Sequence, residues 1–242
     1  MEPETFISFL EWNPSIRFLF VDDGSSDSTP EKITEICESS PKGQASFLRL
    51  ERNSGKAAAV RAGFLKALED PSIEAVGFMD SDLATPLDEI PRLLDPLASG
   101  RASIVMGARI AMLGSDVERS FARHYLGRVF ATFASMTLGL KSYDTQCGAK
   151  MFRAHPDLKR LFDEPFHVKW TFDVEILARL KVDGSYGGRP FPDCAIELPL
   201  RSWIHKGGSK VRPWDFLLSL FELARIRRLM LLRMACGGRR NA

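Results

Sequence analysis

With 242 residues, 45% of them hydrophobic and 26% charged, the chain can bury a sizeable core in one large domain or two small ones. A net charge of +2 argues against a nucleic-acid binder held by bulk electrostatics, although the C-terminal end is basic. Cys37, Cys147, Cys194 and Cys236 lie too far apart for paired metal ligands or a disulfide scaffold, which favours a reducing compartment.

The opening stretch MEPETFISFLEWNP is acidic and helix-like, without the basic and apolar regions of a secretory signal. IRFLFVDDGSSDST reads as a strand and turn, and STPEKITEICES as a helix capped by Ser28 or Thr29 with Pro30 in its first turn. ASFLRLERN is then a strand, GKAAAVRAGFLKALED a helix, EAVGFMDSD a strand, PLDEIPRLLDPLAS a helix opened by Pro86, and ASIVMGARI a strand. This alternation predicts a mainly parallel sheet covered by helices. RSFARHYLGRVFATFASMTLGL continues as a long helix, YDTQCGAKMFR as a strand, WTFDVEILARLKVDG as a helix and AIELPLRSW as a strand.

The last pattern, PWDFLLSLFELARIRRLMLLRMA, is an amphipathic to strongly apolar helix carrying Arg225, Arg227, Arg228 and Arg233, which suits a membrane surface or a partner. No apolar run reaches the roughly 18 residues of a membrane span, so contact with a bilayer would be peripheral. The expected organisation is a main domain over residues 1–212 and a basic membrane-surface helix and tail over 213–242.

Polar chemistry collects where strands pass into helices. Asp22, Asp23 and Ser25 end the first strand in a glycine-containing turn suited to a ribose or base, although Asp-Gly-Ser is also ordinary turn chemistry. Asn53 and Gly55 precede a helix, with Lys56 in its first turn, a position suited to an anion or to capping. Asp80 and Asp82 leave a buried strand one residue apart. Such carboxylates repel, and a hard divalent cation between them relieves this, while an ordinary capped turn is the competing reading. Successive corners on one sheet edge share one cleft. The spacings of His124, His155, His167 and His205 do not resemble those of metal ligands.

The order of VDDGSSDST, NSGKAAAVRAG, MDSDLATP, GARI, DTQCGAKMFR, FDVEILARL and GGSKV resembles family 2 glycosyltransferases of the GT-A fold, more narrowly the dolichyl- or polyprenyl-phosphate glucosyl and mannosyl transferases. The resemblance implies a Rossmann-like mixed, mainly parallel sheet flanked by helices. It implies Mg²⁺ or Mn²⁺ at Asp80 and Asp82, nucleoside contacts at Asp22 and Asp23, and a sugar site near Asp144 and Gln146. It further implies transfer of a hexose, glucose favoured, from UDP-glucose or alternatively GDP-mannose to a polyprenyl or dolichyl phosphate, on the cytoplasmic face of the cytoplasmic membrane or endoplasmic reticulum. Because a lipid phosphate is already an anion, such a reaction needs cations more than a base. Arg109, Arg119, Arg123, Lys206, Lys210 and Arg212 are the candidates, with Arg123 and Lys210 favoured on resemblance.

Two departures from the family pattern are visible. Family members begin with an apolar strand and a Pro-x-Tyr-Asn-Glu-like segment, whereas this sequence starts inside the helix that follows. The strands ending at Asp22 and Asp80 are therefore expected to have unpaired edges, and a truncated frame or a non-catalytic nucleotide-sugar-binding remnant is the alternative reading. Ala57 stands where relatives commonly have glycine.

Overall fold

The structure, a computed structural model, describes residues 2–114, 116–117, 121–204 and 213–237. Helix α1 (Pro3–Trp12) leads into β1 (Phe18–Asp22), and α2 (Thr29–Ser39) into β2 (Ala45–Arg49), which pairs with β1 in parallel. Phe6 and Phe9 of α1 pack on Phe18 and Phe20 of β1, with ring centroids 5.2–5.8 Å apart. The buried Gln44 amide fastens this corner by donating to the carbonyls of Leu10, Asn13 and Ile16 at 2.9–3.0 Å. The cap of α2 differs from expectation: neither Ser28 nor Thr29 caps it by side chain, and Asp27 Oδ1 instead accepts from Thr29 N–H. A carboxylate is the stronger acceptor for a charge-assisted bond.

Next come α3 (Lys56–Ala67), β3 (Ala75–Met79), α4 (Glu89–Ala98) and β4 (Ile104–Ala108). Helix α4 begins at Glu89, after the expected Pro86. The short β5 (Asp116–Val117), α5 (Phe121–Leu138), β6 (Ala149–Arg153) and α6 (Pro156–Asp163) follow. The chain continues through α7 (Phe172–Asp183), a hairpin of β7 (Ser185–Tyr186) and β8 (Arg189–Pro190), β9 (Ala195–Pro199), β10 (Ser202–Trp203) and α8 (Pro213–Gly237). Gly184 ends α7 with φ 71°, a left-handed position where glycine carries no Cβ penalty.

The main sheet has the order β3-β6-β4-β9, with β4 and β9 parallel and β6 antiparallel to both its neighbours. The sheet is therefore mixed, as expected, and its antiparallel strand is β6. The cause lies in the excursion after β4. Arg109 follows β4, Asp144 precedes β6, and the two side chains are bonded to each other, so the chain returns to the edge it left and enters the sheet in the opposite direction. Strand β6 is also shorter than the sequence pattern suggested, because residues 143–148 form a loop.

Among the described residues β1 pairs only with β2, and β3 only with β6, so both strands keep the free edge expected of them. Helix α3 packs on both strands. Gly63 permits this approach, since a Cβ there would lie 3.0 Å from Val21 Cγ2. One apolar cluster joins Phe6, Phe20 and Ile33 to Leu93, Val105 and Met151, which unites the two sheets over one core.

Helix α8 packs on α5 and α7. Leu223, Ile226 and Met230 bury one of its faces in the second apolar cluster, with Phe130, Leu138 and Leu177. At roughly 1.5–3 kcal/mol for each fully buried side chain, those three hold the helix to the domain. Its Glu222 carboxylate adds bonds from the backbone N–H groups of Lys169, Trp170 and Thr171 and from the Thr171 hydroxyl. The other face exposes Trp214, Leu217, Leu218 and Phe221. No described helix is long and apolar enough to cross a membrane.

Candidate functional site

The carboxyl ends of β1, β2, β3 and β4 and the amino end of β6 supply the polar residues of one edge. Asp22, at the end of β1, is only 2% exposed. Its Oδ1 accepts from Ser25 N–H at 3.0 Å, which shapes the turn. Its Oδ2 lies 3.4 Å from Arg49 Nε in an ion contact whose direction is too poor for a hydrogen bond. Asp23 points the other way, and its two oxygens accept from Ser54 N–H at 2.8 Å and Gly55 N–H at 2.6 Å. Gly24, with φ 69°, allows the two loops to touch, since a Cβ would fall 2.9 Å from Arg52 C and Asn53 N. The Asp-Asp-Gly element thus clamps the Asn53-Ser54-Gly55 turn through Asp23. Asn53 itself is exposed.

That clamp fixes the start of α3, where Lys56 is the first helical residue. Lys56 Nζ reaches Asp80 Oδ1 at 2.5 Å, and the two side chains are 47% and 42% exposed. Asp80 N–H donates to Gly148 O at 3.1 Å. Gly148 lies against the Asp80 carboxylate so closely that a Cβ would sit 2.6 Å from its Cγ. Asp82 is exposed, and its Oδ1 accepts from Ala84 N–H at 2.9 Å, the bond of an ordinary Asx turn. Between that turn and the core stands Leu83, 8% exposed with φ 59°. A left-handed leucine costs of order 1 kcal/mol, and burial of its side chain offsets that strain while turning Asp82 outward. Ile204 N–H donates to Ala84 O at 2.9 Å, tying the turn to the end of β10.

The Asp144 and Arg109 side chains, expected separately beside the sugar and the donor, face each other in a bidentate pair at 2.7 and 2.8 Å. Burial alone would lower the guanidinium's pKa, and the adjacent Asp144 carboxylate more than reverses this, so it is raised. The Arg109 guanidinium also lies 5.6 Å from the Trp203 ring centroid. Glu197 of β9 holds the loop by accepting from Tyr143 N–H, Asp144 N–H and the Ser142 hydroxyl at 2.7–2.9 Å. Gln146, on the same loop, is half-buried. Cys147 is fully buried, and burial pushes its thiol up to about 11, which keeps it neutral and unreactive.

Beneath this loop Lys150 is completely buried between strands and donates to Asp173 Oδ1 at 2.6 Å and to Cys147 O at 2.7 Å. Helix α7 carries Asp173 and Glu175 in its first turn, and both carboxylates are committed inside the protein. Glu175 accepts from Arg179 at 2.7 Å and from the His167 and Val168 N–H groups. A buried pair broken by removal of one partner costs several kcal/mol, so these groups act as scaffold.

The clustered residues are thus Asp22, Asp23, Ser25, Asn53, Gly55, Lys56, Asp80, Asp82, Arg109, Asp144 and Gln146. The side chain of Arg123, on α5, and Arg119, Lys206, Lys210 and Arg212 lie outside the described residues, as do the side chain of His124 and His205. His155 caps α6 by accepting from Asp157 N–H, and His167 contacts Glu175. Sequence reasoning missed Gly24, Gly148 and Glu197 as site-shaping residues. Glu197 carried a usable signal, a lone acid within the apolar run AIELPL.

The donor set fits a hard divalent cation. Among the described residues no group of three or more His, Cys, Asp or Glu side chains is placed to hold a metal, and Asp80 and Asp82 are the carboxylates expected to do so. Mg²⁺ is commonly held in this way, by one or two carboxylates with water and substrate phosphates completing its shell. The Lys56 ammonium already on Asp80 shows that the position accepts positive charge.

Comparison with known proteins agrees with this architecture. Solved structures of glucosyl-3-phosphoglycerate synthase from Mycobacterium tuberculosis share the fold. The complex with UDP has a TM-score of 0.61 at 19% identity, covering 97% of this chain and 76% of that one. The complex with Mn²⁺, UDP and glucosyl-3-phosphoglycerate has a TM-score of 0.54 at 18% identity, covering 96% and 75%. The fold is therefore GT-A.

Among curated proteins, the dolichyl-phosphate beta-glucosyltransferase of Dictyostelium discoideum is 31% identical over 88% of this chain and 63% of its own length. The protein of the same name from Saccharomyces cerevisiae is 29% identical over 95% of this chain and 68% of its own. This chain therefore spans somewhat under two thirds of the Dictyostelium relative. The family model described as glycosyl transferase family 2 matches residues 3–160, and the chain belongs to that family.

Proposed function

We propose that this protein transfers glucose from UDP-glucose to a dolichyl or polyprenyl phosphate at a membrane surface, with inversion at the anomeric carbon. One observation carries the reading: Asp80 and Asp82 follow strand β3, Asp82 exposed and Asp80 half-exposed in an ion pair with Lys56, whose helix start is held by the Asp22–Asp23 loop. The names of the Dictyostelium and yeast relatives support the sugar and the acceptor. The Mn²⁺ and UDP in the Mycobacterium complex support the cofactor and the nucleotide.

Asp80 and Asp82 would hold Mg²⁺ or Mn²⁺, and the bound ion would supply Lewis-acid neutralisation of the diphosphate as the glycosidic bond breaks. Asp22 keeps acceptor capacity at the nucleoside end, where its Oδ2 makes no hydrogen bond. Asp23 holds the Asn53–Gly55 turn in place, and Arg109 and Asp144 hold each other and shape the loop that carries Gln146 toward the sugar. An acceptor phosphate is already an anion near neutral pH, so attack by its oxygen requires no side chain to remove a proton. Cations must instead bring two negative partners together, and Arg123 and Lys210 are assigned that role.

Residues 1–212 act as the transfer domain and 213–242 as its membrane contact. Phe221, Trp214, Leu217 and Leu218 would enter the interface while the exposed Arg225, Arg227 and Arg228 meet anionic headgroups of a cytoplasm-facing leaflet. The test is to offer purified protein UDP-glucose and GDP-mannose separately, with dolichyl phosphate and Mn²⁺, and to follow label into the organic phase. Glucose transfer is expected. Mannose transfer instead would reassign the donor, and UDP binding with no transfer from either donor would mark a non-catalytic binding protein.

A further inference from the structure

Asp80, a carboxylate suited to a metal, carries the ammonium of Lys56 at 2.5 Å. The backbone under that lysine is fixed, because Asp23 holds Gly55 N–H at 2.6 Å and Lys56 begins α3 immediately afterwards. Its side chain is not fixed in the same way. It is 47% exposed, and among the described residues its other contact is the Phe172 ring, 5.8 Å from Nζ to the centroid. The second cation near Asp80, Arg109, is held by both oxygens of Asp144. Among the described residues, Lys56 is therefore the cation beside Asp80 that no buried partner holds in place.

We propose that Lys56 is a tethered counter-ion that occupies Asp80 when no metal is bound and moves to the donor's diphosphate when the metal enters. This rests on the metal-dependent reading of Asp80 and Asp82. An ammonium and a divalent cation cannot share one carboxylate oxygen at contact distance without strong repulsion. The exchange is easy because an exposed ion pair contributes little. Once displaced, the ammonium remains at the positive end of α3, where phosphate oxygens are also favoured. Lys56 thus opposes the metal in the absence of donor and assists the metal–diphosphate complex in its presence. One residue consequently carries two effects of opposite sign, which a merely structural residue would not.

Mn²⁺ binding followed by the electron paramagnetic resonance of free Mn²⁺, without nucleotide, tests the first effect. Lys56→Met is expected to bind Mn²⁺ about two- to fivefold more tightly than wild type, the scale of one exposed ion pair. With Mn²⁺ saturating, the same variant is expected to bind UDP about tenfold more weakly by calorimetry, as for loss of one charge-assisted contact. Lys56→Arg, which keeps the charge, should stay near wild type in the first assay. Unchanged or weaker Mn²⁺ binding by Lys56→Met overturns the proposal. An Asp82→Ala control separates that result from failure of the site itself: Mn²⁺ binding as tight as wild type in this control would overturn the metal reading, and the counter-ion with it.

Discussion

The acidic elements at the ends of β1 and β3 look alike in sequence and are used differently. At β1, Asp23 spends both oxygens on backbone N–H groups of the neighbouring loop, and Asp22 is buried. At β3, Asp82 is exposed and gives one oxygen to its own turn, while among the described residues the Asp80 carboxylate meets the half-exposed Lys56 and the bare face of Gly148. A carboxylate whose acceptors are saturated by backbone donors is part of the scaffold, and one left open to solvent is available to a ligand. The first element holds its neighbouring loop in place, and the proposed function gives the metal to the second.

The sharpest way to break that contrast is Asp82→Ala. It should lower transfer at least about 100-fold, as removal of a metal ligand does, and leave the melting temperature within a few degrees because the side chain is exposed. A matched fall in stability would place Asp82 among the scaffold carboxylates instead. Gly148→Ala comes next. Its new Cβ would collide with the Asp80 carboxylate, so binding of UDP with Mn²⁺ should weaken about tenfold by calorimetry. Unaltered affinity would mean that Asp80 can move aside without consequence.

At β1 the expected effect is structural. Asp23→Ala leaves the Ser54 and Gly55 N–H groups without their acceptor, so urea denaturation should show a loss of about 1–3 kcal/mol. The UDP dissociation constant should rise only severalfold. If transfer fell as far as in Asp82→Ala, with no stability change, the division between the two elements would be wrong. The mildest effect concerns α8. Phe221→Asp, on the face turned away from the core, should leave folding intact and reduce sedimentation with anionic liposomes severalfold. Unchanged sedimentation would remove this face from the membrane contact.

The alternation of strands and helices from Phe18 to Ala108 could be read directly, because periodicity and turn residues report on local structure. Strand direction could not. The pattern AKMFR is the same whichever way β6 runs, and its orientation is set by the 35-residue separation that Arg109 and Asp144 close. The same limit hid the fate of several acids. Asp144, Asp173 and Glu222 each meet partners far away in sequence, and nothing in their immediate neighbours distinguishes them from Asp82. Lys150 carried a faint signal, a charge with apolar residues on both sides within a strand, and its pairing with Asp173 is what complete burial of such a charge requires. Asp80 and Asp82 were readable because the buried strand fixed where they emerge.

The most direct measurement is transfer of labelled glucose from UDP-glucose to dolichyl phosphate, assayed with Mn²⁺ and again with excess chelator. Label entering the lipid in the first case and not in the second is the predicted result. Full transfer in the presence of chelator would contradict the role assigned to Asp80 and Asp82.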